Sequence, residues 1–444
     1  IYFIDIPLII AGLFLIYKLC PEKIIKKLQR YFKLAISATL LVIGSLVLIW
    51  CYRAAGPGIF KYNNNYVINR MGVFYFHCYD IGQFAKNNLL GDKSLSEEES
   101  SMIIEHLEKR RNADNNNLSP LAGTQKDKNL IVVQLEAIQS FLMFSEINGK
   151  EVTPNLNRLA REGLYFSNAY YQIAGGNTSD AEFLANCSRY PVEKGSAYFI
   201  YPTNKSYSLP LMLKDEGYET FVAHANNSSF WNRNIMYGNI GFDDYFSDVN
   251  FEIDSVLGWG LEDKSFFKQC VDKLEGKEKF YAFLISLSSH HPYSMFAGFE
   301  FDTGKYEGTI LGNYLKAANY VDSSVGLLFD QLEEKNMLEN TMIVLYGGHF
   351  GMSREDFAYT SDFLGVLNND YSWIKSEGIP LIFYGEGIEP TASDKICGQI
   401  DIMPTISSLM GLETPYALGK NLLSDSPGYA VLRNGTVITS DFIW

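Results

Sequence analysis

Thr178 lies in the phrase Gly176-Asn177-Thr178-Ser179-Asp180-Ala181-Glu182-Phe183, beside an S-x-x-E pair formed by Ser179 and Glu182. That pair predicts a capped helix start whose unpaired N–H groups face Thr178, an end that attracts phosphate or sulfate and suits a hydroxyl nucleophile. Elsewhere the chain offers Glu136, His224, His290 and His349, separated in sequence but each close behind an apolar run. Glu136, Thr178 and His349 together supply two oxygen ligands and one nitrogen ligand. Such a set suits manganese, with magnesium as the alternative, and zinc less well because no thiolate takes part. A divalent ion there would lower the hydroxyl pKa of Thr178 and hold phosphoryl oxygens. Arg233, in Phe230-Trp231-Asn232-Arg233, offers a planar fork matched to phosphate, and His224 and His290 could donate to phosphate or shuttle protons. Trp231 is either an apolar wall of such a site or a core side chain.

These groups need elements to bring them together. From Asn129 onward short apolar runs alternate with longer amphipathic stretches, the pattern of a mostly parallel sheet flanked by helices. Leu130 to Leu135 leads to Glu136, Thr220 to Ala223 to His224, Phe280 to Leu287 to Ser288-Ser289-His290-His291, and Met342 to Tyr346 to Gly347-Gly348-His349. Ligands of open α/β sheets bind at the carboxyl ends of the strands, so these side chains are expected at one edge. A single histidine after a strand reads as a hydrogen-bonded core group; the set reads as a site. Thr153-Pro154 predicts a helix ending near Gly163, Asn313 to Glu334 a longer one, Ile379 to Tyr384 a further strand, and Ile400 to Met410 a closing helix.

Ahead of this region the composition changes. Ile6 to Tyr17 is apolar, and Leu34 to Cys51 is an uncharged run of 18 residues, near the ~20 that cross a bilayer. Between them stand Lys18, Lys23, Lys26, Lys27, Arg30 and Lys33 against Glu22, which the positive-inside rule assigns to the cytoplasm, with everything after Cys51 outside. The chain starts at Ile1 without methionine, so the expectation is a truncated transmembrane helical anchor over 1–52, a polar juxtamembrane connector over 53–128, and an extracellular α/β domain over 129–444. Within the connector, Ser96 and Glu99 predict a capped helix to about Arg111. Residues 1–33 carry a net +4, which leaves −18 of the total −14 on the rest. Nucleic acid is thereby excluded as a partner, and any phosphate affinity must come from a local site. The six cysteines show no C-x-x-C spacing and define neither a zinc site nor a disulfide framework.

Gln134-Leu135-Glu136, Asn177 to Phe183, Phe230 to Arg233, Ser288-Ser289-His290-His291-Pro292-Tyr293, Leu345 to Gly351 and Arg433-Asn434-Gly435 together resemble the ordered motifs of the lipoteichoic acid synthases. The resemblance implies a sulfatase/alkaline-phosphatase-like fold on the outside of a Gram-positive membrane. It further implies transfer of glycerol phosphate from phosphatidylglycerol, through a covalent phosphoglycerol on Thr178, to a growing polyglycerol-phosphate chain. Glu136, Thr178 and His349 then match metal positions, and His224, Trp231, Arg233 and His290 match glycerol-phosphate contacts. Two departures stand out. The family has an aspartate where this chain has Gly348, and an acidic residue where it has Asn226, which leaves Asn226 an altered glycerol contact. Loss of one carboxylate weakens the expected metal site, so an impaired relative that binds glycerol-phosphate polymer is the second reading. Glucan phosphoglycerol transferases and phosphoethanolamine transferases are further alternatives. A sulfatase is disfavoured, because Cys187-Ser188-Arg189-Tyr190-Pro191 has the wrong order for a formylglycine nucleophile.

Overall fold

The computed structural model describes residues 95–116 and 119–444, with short stretches of the preceding chain of which 36–47 is the longest. Two compact units result, Ile1–Ser94 and Leu95–Trp444. In the first, 36–47 is α-helical and exposes Leu41, Val42, Ile43 and Leu46. This helix lies inside the apolar run 34–51. The ends of that run, and most of the Ile6 to Tyr17 run and of the basic loop, lie outside the described residues. Among the described residues no helix is long and apolar enough to cross a membrane.

The second unit opens with helix α1 (Glu97–Asn116). Its expected capping box is present: Glu99 N–H donates to Ser96 Oγ at 3.1 Å, and Ser96 N–H donates to Glu99 Oε2 at 2.9 Å. The helix runs past Arg111, where the sequence predicted its end.

The α/β body then follows in the order β1 (Asn129–Leu135), α2 (Pro154–Glu162), β2 (Leu164–Tyr170), α3 (Thr178–Cys187), β3 (Glu219–Ala223), α4 (Arg233–Asn239), β4 (Asp244–Phe246), α5 (Asp263–Leu274), β5 (Phe280–Ile285), α6 (Ile310–Glu334), β6 (Thr341–Gly347), β7 (Gly378–Tyr384), β8 (Thr391–Ser393), β9 (Cys397–Gly398) and α7 (Ile402–Leu409). Shorter helices and hairpins occupy the connections.

The strands form one nine-stranded sheet ordered β8-β2-β7-β6-β1-β5-β3-β4, with β9 also paired to β2. The sheet is mixed: β7 runs antiparallel to both β6 and β2, and every other pairing is parallel. Central strands buried on both faces read as continuous apolar runs, which is why β1, β5 and β6 were visible in sequence. Alternation splits their side chains between two cores. Ile131, Val133 and Leu135 pack with α5 and α6 residues such as Phe267 and Leu315, while Leu130 and Val132 pack with α3 and α7 residues such as Leu184 and Ile406. The orphan N–H groups opening α2 are satisfied from across the core, where Asp322 of α6 accepts from Asn155 N at 3.0 Å and Leu156 N at 2.7 Å.

Candidate active site

Strands β6, β1, β5 and β3 are neighbours and point the same way, so the residues that follow them line one edge in the order His349, Glu136, His290, His224. The register confirms the alignment: Leu135 pairs with Gly347, Gln134 with Ile285, and Ala223 with Leu284. Two serines fix the turn at Glu136. Its N–H donates to Ser286 Oγ at 2.8 Å, and its carbonyl accepts from Ser289 Oγ at 2.5 Å.

Thr178 is the first residue of α3 and is brought to this edge by the loop after β2. Its Oγ1 lies 3.4 Å from Glu136 Oε2 and 3.3 Å from His349 Nε2, while Glu136 Oε1 stands 2.9 Å from His349 Nε2. Gln134, on the opposite face of β1 from Leu135, donates from Nε2 to the Thr178 carbonyl at 3.2 Å and accepts from the Tyr346 hydroxyl. This tie holds the helix start to the sheet.

The start of α3 is built differently from the sequence expectation. Ser179 does not cap Glu182. Its Oγ donates to the Gly176 carbonyl at 2.8 Å and meets Ser196 Oγ at 2.8 Å. Asp180 gathers the loop instead, accepting at Oδ2 from Ala174 N and Gly176 N, each at 2.9 Å. Glu182 is fully buried and faces Arg233, with Oε1 2.6 Å from Nη2 and 3.1 Å from Nε, and Oε2 accepts from the Tyr237 hydroxyl at 2.7 Å. A carboxylate inside the fold takes the buried cation because no water is there to solvate either one, so it is not free to reach back to the helix cap.

The three imidazoles share one arrangement. Nδ1 of His224 donates to the Ile285 carbonyl at 3.1 Å, Nδ1 of His290 to the His291 carbonyl at 2.6 Å, and Nδ1 of His349 to the Phe350 carbonyl at 2.9 Å. Each ring therefore keeps Nε2 for the site. His290 Nε2 lies 4.0 Å from Glu136 Oε1. Burial, with the nearby Arg233 charge, pushes His224 down to about 3, so it is neutral at pH 7. Burial works against charge on His349 too, but the Glu136 carboxylate outweighs it and lifts the imidazole above its ordinary value. Burial would likewise raise Glu136, yet the facing imidazoles, His349 first, hold it below the usual carboxylate range.

A neutral His349 turns the Nε2 lone pair toward a carboxylate oxygen at 2.9 Å. Two acceptors at that distance need a proton or a cation between them. Glu136 Oε1 is buried, and among the described residues its nearest ion-pair partner is the His349 imidazole at 2.9 Å. Also among the described residues, no group of three or more His, Cys, Asp or Glu side chains is placed to hold a metal ion. The cluster is two such side chains and a hydroxyl. At the expected fourth position, a Cβ on Gly348 would meet Gln134 Nε2 at 3.3 Å and the Leu135 carbonyl at 3.4 Å, so the Gln134 carboxamide borders that space.

The remaining expected residues are less uniformly placed. Arg233 is 1% exposed in its ion pair with Glu182, and its Nη1 has no hydrogen bond among the described residues. Trp231 is buried against Phe199 and Phe230, in keeping with the core-side-chain alternative. Asn226 is half-buried beside His224, with its Oδ1 accepting from Asn227 N at 2.6 Å. Trp259 and Asp263 escaped the sequence reading. Trp259 packs against His290 with ring centroids 4.4 Å apart and planes tilted by 39°, and Asp263 accepts from Leu287 N at 2.8 Å and Ser288 N at 3.1 Å, just ahead of His290. The available signal was the Gly258-Trp259-Gly260 phrase, an aromatic between two residues without side chains.

Residues 128–412 match the Sulfatase family, and residues 1–92 match the lipoteichoic acid synthase N-terminal domain. Lipoteichoic acid synthase 2 of Bacillus subtilis is 33% identical over 392 residues, covering 86% of this chain and 60% of the relative. Lipoteichoic acid synthase 1 of the same organism is 31% identical over 461 residues, covering 99% of this chain and 70% of the relative. The crystal structure of the lipoteichoic acid synthase LtaP from Listeria monocytogenes superposes with a TM-score of 0.69 at 28% identity, covering 76% of this chain and 86% of that one. The mixed α/β sheet agrees with these similarities, and the chain belongs to the lipoteichoic acid synthase family within the sulfatases.

Proposed function

We propose that the chain is a phosphoglycerol transferase that moves glycerol phosphate from phosphatidylglycerol onto a polyglycerol-phosphate acceptor, with Thr178 as the covalent carrier. The observation that carries this reading is Thr178 Oγ1 between Glu136 Oε2 at 3.4 Å and His349 Nε2 at 3.3 Å, at the first turn of α3. In the first step Oγ1 attacks the phosphorus of the lipid, the bond from phosphorus to the diacylglycerol oxygen breaks, and the threonine proton passes to the facing base. Diacylglycerol leaves after its oxygen gains a proton. In the second step the terminal hydroxyl of the acceptor attacks the same phosphorus and gives up its proton, the bond from phosphorus to Oγ1 breaks, and Oγ1 takes a proton back. His224, neutral with its proton on Nδ1, offers the Nε2 lone pair to a substrate hydroxyl, and the half-buried Asn226 stands beside it for the glycerol hydroxyls; His290, anchored through Nδ1, presents Nε2 to the phosphoryl oxygens, a contact that takes a proton on that nitrogen. Arg233, through its unbonded Nη1, adds positive potential behind His224.

The buried Glu136 carboxylate, facing the Thr178 hydroxyl and the His349 imidazole, is a set of hard oxygen and imidazole donors that fits a divalent ion, manganese or magnesium, held by Glu136, Thr178 and His349. When bound it would stabilise the threonine alkoxide and the charge on the phosphoryl oxygens.

Residues 1–52 would anchor the domain in the membrane and 53–128 connect it. The exposed, uncharged side chains of the 36–47 helix and the basic loop before it support this reading, in which 129–444 faces the outside of the cell. The chain spans 60% of the length of the Bacillus subtilis synthase 2.

Gly348 favours a second reading, a catalytically impaired relative that binds glycerol-phosphate polymer. Release of diacylglycerol from phosphatidylglycerol with manganese separates the two when the native chain and Gly348→Asp are compared. Turnover by the native chain supports the transferase. Turnover only after the substitution, together with no manganese-dependent rise in the native unfolding temperature, supports the binder.

A further inference from the structure

The Gly258-Trp259 turn stands against His290, and its placement is tightly specified. It closes a two-residue hairpin in which Val256 pairs with Leu261 and Leu257 with Gly260. Gly258 has φ +71°, and a side chain there would also meet Met295 Sδ at 2.7 Å. A Cβ on Gly260 would come within 2.5 Å of the Ala225 carbonyl, one residue from His224 and from Asn226. The hairpin is thus wedged between the turn after β3 and the segment after His290. Its exit is pinned as well. Asp263 accepts from the backbone N–H groups of Leu287 and Ser288, its own N–H donates to Ser288 Oγ at 2.9 Å, and Tyr320 holds Glu262 at 2.8 Å. Such fixing is more than a surface turn needs, and the side chain it delivers is 48% exposed.

What the indole meets is His290, with centroids 4.4 Å apart and planes 39° apart, and Phe230 edge-on at 6.3 Å. Phe230 in turn meets Trp231 at 5.8 Å. Among the described residues the His290 ring makes one hydrogen bond, from Nδ1 to the carbonyl of the next residue, which anchors a single atom of the ring. The indole face supplies the second restraint, and with it Nε2 stays 4.0 Å from Glu136 Oε1. We infer that Trp259 is the positioning residue for His290, holding its Nε2 toward the phosphate of a glycerol-phosphate substrate. The substrate class rests on the proposed transferase reading; the ring placement does not.

The test therefore has one readout for each. Histidine Cε1–H resonances of the full chain in detergent micelles are compared between the native protein and Trp259→Leu. The His290 resonance is expected upfield in the native protein from the indole ring current, and displaced toward its ordinary position in the variant, with His224 and His349 unmoved. Kinetically, Trp259→Leu is expected to lower kcat/KM for phosphatidylglycerol by roughly 2- to 10-fold, the range of an aromatic pair. Trp259→Phe should recover most of that loss, and Trp259→Leu/His290→Ala should be no worse than His290→Ala. A His290 resonance that ignores the substitution, or losses that multiply in the double variant, overturns the proposal. Absence of turnover in the native chain would refute the transferase reading alone, and the resonance would still decide the role of Trp259.

Discussion

Replacing Glu182 by Gln removes one charge from a fully buried ion pair and leaves the shape almost intact. Glu182 is 0% and Arg233 1% exposed, so neither charge is shared with water. Gln can still accept from Arg233 through its remaining oxygen, and the Tyr237 hydroxyl can turn to accept from the new amide, so few contacts are lost outright. What is lost is the countercharge to a buried guanidinium, and breaking one side of such a pair costs about 3–5 kcal/mol. Urea unfolding of the chain, followed by near-ultraviolet circular dichroism, should show a loss of that size in Glu182→Gln. Glu182→Leu/Arg233→Met, which removes both charges, should regain most of it. A loss below about 1 kcal/mol in Glu182→Gln would mean that Arg233 is solvated. The guanidinium would then be a free phosphate ligand and not a buried partner of α3.

The remaining predictions concern the site's supports. Asp263 is raised by burial from 3.8 to about 7 despite the N–H groups it accepts from, so its contribution to stability is fully present below pH 3.8 and is lost as pH rises through about 7. Asp263→Asn should flatten the fall in urea midpoint between pH 4.5 and roughly 8, and an unchanged slope would contradict this. A Cβ at Gly348 needs only a few tenths of an ångström from Gln134, whereas one at Gly351 would lie 2.4 Å from the Tyr314 ring. Gly348→Ala should therefore cost less than about 1 kcal/mol and Gly351→Ala more than about 2 kcal/mol; equal costs in thermal unfolding would show that the Gly348 space is closed.

The edge of the sheet was legible because its strands announce themselves. Runs such as Leu130 to Leu135 and Met342 to Tyr346 are buried on both faces, and the polar residue that ends each run is the site residue. Helices α2, α6 and α7 were legible from punctuation and period. What escaped depends on partners distant in sequence. Ser179 and Glu182 have the spacing of a capping pair, but Arg233, 51 residues on, claims the glutamate. Trp259 looks like an ordinary turn aromatic until His290 is folded against it. The direction of β7 was hidden as well, since Ile379 to Tyr384 has the same buried pattern whichever way it runs. Arg233 stands out in sequence by its chemistry alone, and burial, which sequence does not display, decides how much of its fork remains available.

Thr178 is proposed to carry the phosphoglycerol group. Intact-protein mass spectrometry of the native chain, quenched after incubation with phosphatidylglycerol and manganese, tests it most directly. One phosphoglycerol adduct per chain is predicted, located at Thr178 by peptide mapping, matched by released diacylglycerol and absent in Thr178→Ala. Diacylglycerol released without any adduct, or released equally by Thr178→Ala, would contradict the account.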